Sequence, residues 1–505
     1  MRRNFIFTIL TFGDAFVSFG STASIYPRPR TEIPESTLTA ACSKAKQRLG
    51  DARVNTRPIQ TPELVQQNWS QACWKVPYCI ILPSTAEEVS ESLKIIKSFR
   101  VPFAIRAGGH SPNPEWSSID GGGILLDLQQ INVVTVAGDG SSVSVGAGAR
   151  WGSVYDALES KNRAVIGARD RSVGVGGSIL GGGYHHLSNQ FALAADNVKN
   201  FEVVLSNGTI ANANVKQNSD LFWALKGGGP NFGVVTRYDL YALPVSTIWA
   251  QINVYAPAQV PALIIAFDDW QVNGPVSDVK GNADLIISLD FAVLILVYSE
   301  PVSKPSKIFD PFFALEPIAT ALPAANLTLK QLSDIVESAS STAPARHDYR
   351  AFSSLVDTEL TLEMYDFWLK QANDARDATG ITQSFVLQHV SRNLIGVGEQ
   401  RGGNALSLPD KSQQWWTTIV DWESAKDDAV ARSVAIGTTS QWQKRAVERG
   451  VDVPVLFMND ASRDQNPLAS YGRESLQRLR AVSQRYDEAQ IFQHLQRGGF
   501  KLSKA

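Results

Sequence analysis

One histidine of the chain follows two glycines at the end of an apolar segment. The stretch "RAGGHS" places His110 directly behind Gly108 and Gly109, after the apolar residues Val101–Ile105. A neutral imidazole nitrogen is a nucleophile near neutral pH, and glycines leave the backbone open to close approach. This pattern suits a direct bond to a ligand, although a single histidine in a loop is more often an ordinary surface residue.

Glycine clusters recur further along the chain. Glycine lets backbone amides turn towards an anion, because no side chain blocks the approach. Four such clusters in one region exceed what tight turns require. None of them fits the glycine fingerprint of a Rossmann fold or a P-loop in its usual context, so the pattern predicts a pyrophosphate ligand in another setting. The clusters are AGGHS (107–111), GVGGS (174–178), GGG (181–183) and GGGPNFG (227–233).

The length and composition of the chain indicate a globular protein with more than one lobe. A chain of 505 residues exceeds what one hydrophobic core usually serves, so two or more lobes are expected. Apolar residues make up 44% and charged residues 19%, which is typical of a packed globular protein. The formal net charge of −2 gives no electrostatic reason to expect nucleic acid or an anionic membrane as a partner.

The segment around His110 predicts a strand, a helix and a second strand. Ile80–Leu82 is a short apolar run, and Ser84 or Thr85 is expected to cap a helix with acidic residues in its first turn. Val101–Ile105 is the next buried strand. Alternating strands follow, a helix is expected from about Trp151 to Ser160, and the stretch "GVGGSILGGG" is predicted to be a loop. Beyond residue 244 glycines become rarer and strands alternate with helices, which indicates a second lobe.

The longest apolar run after the N-terminus is Ala283–Glu300. Asp284 and Asp290 interrupt it, so it predicts two buried strands rather than a membrane span. No cluster of histidine, cysteine and acidic residues has the spacing of a metal site, and no metal is predicted.

The first residues have the order of parts of a secretory signal. Arg2 and Arg3 precede the apolar run Phe5–Phe12 and the small residues Ser21–Ser24. Asp14 interrupts the pattern, and an ordinary N-terminus is the alternative. We expect a signal peptide over residues 1–24 and a secreted protein, or one that passes through the secretory pathway. Three glycosylation sequons are compatible with this route, at Asn68, Asn207 and Asn326.

Several motifs in a fixed order resemble one enzyme family. "RAGGHS", "IDGGGILLDL", "VGVGGSILGGG", "ALAADNV", "DLFWALKGGGPNFGVVT" and a terminal "YDEAQIF" resemble the FAD-linked oxidoreductases of the vanillyl-alcohol-oxidase type. The sequences of these motifs are similar to those of the fungal members of the berberine-bridge-enzyme-like branch. The resemblance covers residues 77–244 and 453–502.

The resemblance implies an α+β fold. It consists of an FAD-binding domain of the PCMH type with two α+β subdomains, and a second α+β lobe for substrate built on an antiparallel sheet. We place the N-terminal lead at 25–74, the FAD domain at 75–245 and the substrate lobe at 246–452. Residues 453–505 are expected to return to the FAD domain.

The resemblance also implies how FAD is held. His110 would carry the flavin covalently, from an imidazole nitrogen to the 8α-methyl group. Many relatives add a second bond from a cysteine, but Asp170 stands at that position here, so a single covalent bond is predicted. Further FAD contacts are expected from Arg106, Ala107, Gly108, Gly109, Ser111, Val175, Gly176, Gly177, Ser178, Gly182, Asp196, Asn197, Val198, Phe232, Gly233 and Val234.

The chain has three cysteines, and spacing alone does not choose a pair. The family's N-terminal disulfide, if it is kept, would join Cys42 to Cys79 and leave Cys73 free.

The implied reaction is hydride transfer from a small organic substrate, such as a secondary-metabolite intermediate, to FAD, often with a base that takes a proton. Candidate catalytic residues are Asn459, which could also contact the flavin, Gln388 and His185; their neighbours His389 and His186 are further candidates. Dioxygen or another acceptor would take the electrons, and a monomer is expected. Alternatives are a secreted carbohydrate oxidase, a flavoprotein that catalyses a cyclisation or pericyclic step, and a binding module with a degenerate flavin site.

Overall fold

A computed structural model describes residues 33–59, 61–305, 307–339 and 345–505. The predicted signal peptide, residues 1–24, lies outside the described residues. Within them the chain forms three β-sheets, and none of the described helices is both long and apolar enough to cross a membrane. We call residues 33–244 together with 453–505 the first lobe, and residues 246–452 the second lobe.

The first sheet contains the strand that leads to His110. Its order is β1-β2-β4-β3, with β4 parallel to both β2 and β3. The helix between β2 and β3 begins as predicted, because Thr85 accepts a hydrogen bond from the backbone N–H of Glu88 at 3.2 Å. The elements are α1 (Glu35–Leu49), β1 (Val54–Thr56), α2 (Pro62–Gln66), β2 (Cys79–Ile81), α3 (Ala86–Phe99), β3 (Phe103–Arg106) and β4 (Ile124–Asp127).

A disulfide joins Cys42 in α1 to Cys79 in β2, which confirms the pairing that the resemblance implied. Cys73 is free and buried, and burial raises the pKa of its thiol to about 12. Strand β1 lies in the segment assigned to the N-terminal lead, so that segment supplies an edge strand of the first sheet.

The second sheet is antiparallel, in the order β5-β6-β9-β7-β8. One of its helices lies in the stretch that was predicted to be a glycine loop. Ser178 anchors this short helix by accepting from the indole N–H of Trp151 at 2.9 Å, while its hydroxyl donates to the carbonyl of Gly174. The elements are β5 (Val134–Val136), β6 (Ser142–Gly146), α4 (Trp151–Glu159), α5 (Val175–Leu180), α6 (Ser188–Phe191), β7 (Val198–Val204), β8 (Ile210–Ala213), α7 (Ser219–Leu225) and β9 (Val234–Tyr241).

The third sheet forms the second lobe and has eight antiparallel strands. Its path is β13-β10-β12-β11-β16-β17-β14, and β15 pairs with β17. The apolar run Ala283–Glu300 forms two neighbouring strands, as predicted. The strands are β10 (Ile248–Tyr255), β11 (Gly281–Ile287), β12 (Ala292–Tyr298), β13 (Ala319–Leu327), β14 (Arg346–Ser354), β15 (Thr382–Gln383), β16 (Phe385–Val390) and β17 (Gln413–Trp422).

The two faces of the third sheet have different partners. Successive side chains of a strand point to opposite faces, so Trp416 packs among helices of the second lobe while Trp415 packs towards the first lobe. The helices of this lobe are α8 (Val260–Ser277), α9 (Asp310–Phe313), α10 (Leu329–Ser338), α11 (Thr358–Thr379), α12 (Arg392–Gln400) and α13 (Asp428–Arg449).

The C-terminal segment packs against the first lobe. The backbone of Phe103 in β3 accepts from the N–H of Arg497 at 2.8 Å and donates to the carbonyl of Leu495 at 3.1 Å. The helices of this segment are α14 (Pro467–Ser470), α15 (Arg473–Tyr486) and α16 (Ile491–His494).

The three sequons differ in exposure. Asn68 is 2% exposed, and its side chain donates to Ser117 and accepts from Arg106. Asn207 and Asn326 are exposed. Asn68 is therefore not a site that glycosylation can reach in the folded protein.

Candidate active site

A cavity of about 520 Å³ lies between the glycine clusters of the first lobe and the third sheet. This volume falls in the range of about 300–1,000 Å³ that is typical of small-molecule sites. Asp284 and Ile286 of β11 line it from the second lobe, as do Val386 of β16 and Thr417 of β17. Both lobes are therefore needed to close the cavity.

Many of the predicted site residues line this cavity. They come from the loop after β3, from α5, from the start of β9 and from the turn before α14. They are Ala107, Gly108, Gly109, His110, Ser111, Gly176, Gly177, Ser178, Gly233, Val234 and Asn459.

Two of the glycine clusters meet face to face. A Cβ atom on Gly174 would lie 2.4 Å from the Cα atom of Gly108, a distance that no packed structure tolerates. Gly177, in the first turn of α5, has open space instead, since no atom lies within 4 Å of where its Cβ would be. Glycine therefore serves close packing of the backbone at Gly174 and access to the cavity at Gly177.

His110 lines the cavity and has three neighbours that orient its ring. Its Nε2 lies 3.1 Å from Oγ of Ser172, and its Nδ1 lies 3.4 Å from the hydroxyl of Tyr349. The indole of Trp69 stacks on the imidazole with ring centroids 4.5 Å apart, and it also stacks on His347 with ring centroids 3.6 Å apart. Burial lowers the pKa of His110 to about 4, so the ring is neutral at pH 7.

A chain of hydrogen bonds beside the cavity links the two lobes. Asp460 accepts from the Gln388 amide at 2.8 Å, and the Gln388 oxygen accepts from Arg169 at 2.6 Å. Arg169 also pairs with Asp284 at 2.7 Å, and Asp284 lies 2.8 Å from Nδ1 of His186. The chain thus joins the loop before α5 to strands β11 and β16.

The pKa values of the two carboxyl groups in this chain of hydrogen bonds shift in opposite directions. Burial opposes ionisation of Asp284, but Arg169 and the hydrogen bond from His186 outweigh it and hold the pKa of Asp284 at about 2. Burial instead raises the pKa of Asp460, and its hydrogen bond from Gln388 does not cancel the effect. Asp460 lines the cavity, so a group suited to proton transfer faces its interior.

Asn459 bridges two glycine clusters. Its Oδ1 accepts from the backbone N–H of Gly183 at 3.0 Å, and its Nδ2 donates to the carbonyl of Gly177 at 3.4 Å. An amide used in this way holds the cavity wall in place and does not take up a proton.

Arg106 does not line the cavity, although its motif predicts a pyrophosphate contact. Its guanidinium is buried, pairs with Asp127 at 2.5 Å and donates to Asn68 and to the carbonyl of Leu64. These bonds link β3 to β4 and to the N-terminal segment. The Arg106 side chain therefore stabilises the loop after β3, while the backbone of that loop lines the cavity.

A second group of predicted contacts also lies away from the cavity wall. Asp196 accepts from Asn404 at 3.0 Å, and Asn197 bonds to backbone carbonyls of its own turn. The partners of Asp196 are Asn404 and Lys226, and those of Asn197 are its own turn and Arg401, so both side chains are engaged away from the cavity. Val175, Gly182, Val198 and Phe232 are likewise absent from the cavity lining.

The predicted histidine and glutamine candidates are divided between the cavity and the core. His185 points away, because its Nδ1 accepts from the backbone N–H of Leu187 at 3.2 Å, and the adjacent His186 lines the cavity instead. Gln388 does not line the wall itself but holds Asp460. His389, next along β16, lies on the opposite face and packs on Trp270.

Sequence reasoning did not single out Arg169, Asp284, Asp460 or Tyr349 as site residues. For Asp284 a signal existed, since a carboxylate inside an apolar strand must find a buried partner. Tyr349 reaches the site only through the pairing of β14 with β17, which no local pattern shows.

The cavity fits the FAD that the resemblance implies. Gly177 leaves room for a ligand, and the backbone of Gly108, Gly109 and Gly177 lines the cavity, where amides can turn towards an anion. His110 offers a neutral nitrogen, and apolar residues such as Leu128 and Val173 line the walls that a flavin ring would contact.

Comparison with known proteins agrees with this fit. Residues 77–214 match the FAD binding domain family. An FAD-dependent monooxygenase of Arthrobotrys oligospora is 35% identical over 86% of this chain and 84% of that protein. The bifunctional solanapyrone synthase of Alternaria solani is 32% identical over 85% of this chain and 82% of that protein.

Solved structures show the same fold. The BBE-like 1 protein of Physcomitrella patens matches with a TM-score of 0.75 at 18% identity, over 92% of this chain and 99% of that chain. The predicted α+β fold is confirmed. By its FAD binding domain and these relatives, the chain belongs to a family of FAD-dependent oxidoreductases, and its fold is that of the PCMH-type, berberine-bridge-enzyme-like structures.

Proposed function

We propose that the protein oxidises a small organic molecule, an intermediate of secondary metabolism, by hydride transfer to an FAD that one covalent bond holds at His110. The observation that carries this proposal is the cavity itself. Its wall brings together the neutral imidazole of His110, the glycine clusters and the carboxyl groups of Asp284 and Asp460.

The bound flavin would supply the hydride acceptor. The residues of the chain would do the rest. Asp460, with its raised pKa, would take the proton of a substrate hydroxyl or amine, and Gln388 and Arg169 would hold its carboxylate in place. His186 adds a second polar group to the wall, with its Nδ1 fixed by Asp284.

The attachment at His110 is tested by the His110→Ala variant. The glycine clusters that line the rest of the cavity are unchanged, so we expect this protein still to bind FAD. Acid precipitation should leave a yellow pellet with the wild type and a colourless pellet with a yellow supernatant for the variant. Acid-stable flavin in His110→Ala would show that another residue forms the bond.

The redox reaction is tested by anaerobic bleaching of the flavin band with candidate hydroxylated or amine-containing substrates. After air is admitted, one hydrogen peroxide per oxidised product identifies an oxidase. Incorporation of an oxygen atom into the product identifies a monooxygenase, the activity that the name of the Arthrobotrys relative states. A protein that binds no FAD at all would contradict the proposal.

A second candidate function is a synthase that combines oxidation with a ring-forming step. Similarity to the bifunctional solanapyrone synthase over 85% of this chain favours it. Product formation that continues from an oxidised intermediate after the flavin has been reduced would support this function, and product formation that stops with reduction would exclude it.

A further inference from the structure

Three side chains form a continuous hydrogen-bonded row that ends at His110. Oδ1 of Asp170 accepts from the hydroxyl of Ser172 at 2.6 Å and from the backbone N–H of Ser172 at 2.7 Å. Oγ of Ser172 in turn lies 3.1 Å from Nε2 of His110. Asp170 and His110 both line the cavity, and Ser172 lies between them.

The direction of these hydrogen bonds fixes the tautomer of His110. A serine hydroxyl has one proton, and here it is donated to the carboxylate of Asp170. Oγ of Ser172 can therefore only accept, so Nε2 of His110 carries the ring proton and Nδ1 carries the lone pair. The hydroxyl of Tyr349, 3.4 Å away, is the donor that faces Nδ1.

The groups around the row hold it in this arrangement. Trp69 stacks on the imidazole and limits its rotation. Arg150 donates to the backbone carbonyl of Ser172 and so holds the turn that carries Ser172. The row is therefore built into the loop between α4 and α5 and does not depend on a flexible side chain.

We propose that Asp170, acting through Ser172, is the proton acceptor for the formation of the bond between His110 and the flavin. This inference rests on the proposed attachment of FAD at His110. Nδ1 of His110 bonds to the 8α carbon, while a C–H bond of the methyl group breaks and its proton leaves to solvent. The Nε2 proton passes to Ser172, as the proton of Ser172 passes to Asp170.

The electrons also balance. The electron pair of the broken C–H bond remains on the flavin, and dioxygen or another two-electron acceptor removes it. Without a proton acceptor, the imidazole would keep its Nε2 proton and carry a positive charge in a setting where burial disfavours that charge.

The experiment follows attachment directly and requires no substrate. Full-length protein is produced under riboflavin limitation, FAD is added, and samples are precipitated with acid at intervals to measure flavin fluorescence in the pellet. Quenching of FAD fluorescence before acid reports reversible binding. The variants are Asp170→Asn, which keeps an oxygen acceptor for Ser172 but loses the negative charge, and Ser172→Ala, which interrupts the row.

We expect both variants to bind FAD reversibly and to attach it roughly 100-fold more slowly than the wild type, as expected for loss of a general base. Ser172→Thr, which keeps the hydroxyl, should restore most of the rate. Asp421→Asn is the matched control, because the Asp421 carboxylate bonds to His347 at 2.6 Å and is not part of the row that ends at His110. It should attach FAD at the wild-type rate.

The outcomes separate this inference from the proposed function. Attachment by Asp170→Asn at the wild-type rate would overturn the relay and leave the bond at His110 intact. Equal slowing in Asp421→Asn would also overturn it, because any loss of charge near the aromatic stack would then suffice. A wild-type protein that binds FAD but never attaches it would overturn the bond and the relay together.

Discussion

At the level of single residues, Arg169 connects the two lobes. Its guanidinium pairs with Asp284 of β11 at 2.7 Å and donates to Gln388 of β16 at 2.6 Å, and the Asp284 side chain is 1% exposed. Removal of one partner from a buried ion pair leaves an uncompensated charge and costs about 3–5 kcal/mol. We therefore expect Arg169→Leu to lower the free energy of unfolding in urea by about 3 kcal/mol.

A matched control for Arg169 is the pair formed by Arg392 and Asp410. It has the same length of 2.7 Å, but its side chains are 66% and 69% exposed. Solvent screens exposed pairs and they contribute little, so Arg392→Ala should leave the free energy of unfolding nearly unchanged. Equal losses in the two variants would show that Arg169 has no special role in joining the lobes.

The residue scale also shows where sequence reasoning succeeds. The glycine-flanked His110 and the Gly176–Ser178 stretch could be placed at the cavity, because clustered glycines indicate that a ligand approaches the backbone closely. The side-chain partners of Arg106 and Asp196 could not be predicted, since a motif shows that a charged residue is present but not which buried group it bonds to. Which of His185 and His186 faces the cavity depends on the backbone conformation of the turn that contains them, and the sequence does not show it.

At the level of elements, Gly174 and Gly177 of the same stretch have different roles. Ala at Gly174 places a Cβ 2.4 Å from Gly108, which forces the two loops apart, so Gly174→Ala should lower both the melting temperature and FAD binding. Ala at Gly177 meets no atom within 4 Å, so Gly177→Ala should keep the wild-type melting temperature of the apoprotein but bind FAD more weakly. Thermal unfolding without FAD and fluorescence titration with FAD measure the two effects. A stable Gly174→Ala protein would contradict the close-packing role.

Elements with local signals could be predicted from the sequence, and elements with distant partners could not. The helix capped by Thr85 and the two strands in 283–300 follow from capping and from apolar runs. Helix α5 was missed because glycines weaken helices, and here tertiary contacts such as the bond from Trp151 to Ser178 compensate. The pairing of β11 with β16 joins strands about a hundred residues apart in sequence, which no local pattern specifies.

At the level of the whole molecule, the cavity is a product of both lobes. The first lobe brings bare backbone and the imidazole of His110, and the third sheet brings Asp284 and a mainly apolar wall. The C-terminal segment returns to line the cavity with Asn459 and Asp460 and then pairs with Phe103. Stability and function of this site therefore depend on the same long-range packing.

Buried histidines make the stability of the whole fold depend on pH. Burial lowers the pKa of His389 to about 3, whereas an unfolded histidine titrates near 6.5. Between these two pH values His389 is protonated in the unfolded chain but not in the folded protein. Its contribution to the free energy of unfolding is therefore complete above pH 6.5 and decreases as the pH falls, by about 1.4 kcal/mol per pH unit. Asp268, with a pKa that burial raises to about 6, acts in the opposite direction but is common to wild type and variant. Urea unfolding at pH 7.5, 6 and 5 should therefore show a smaller loss of stability in His389→Gln than in the wild type. Identical slopes would mean that His389 takes up its proton in the folded protein.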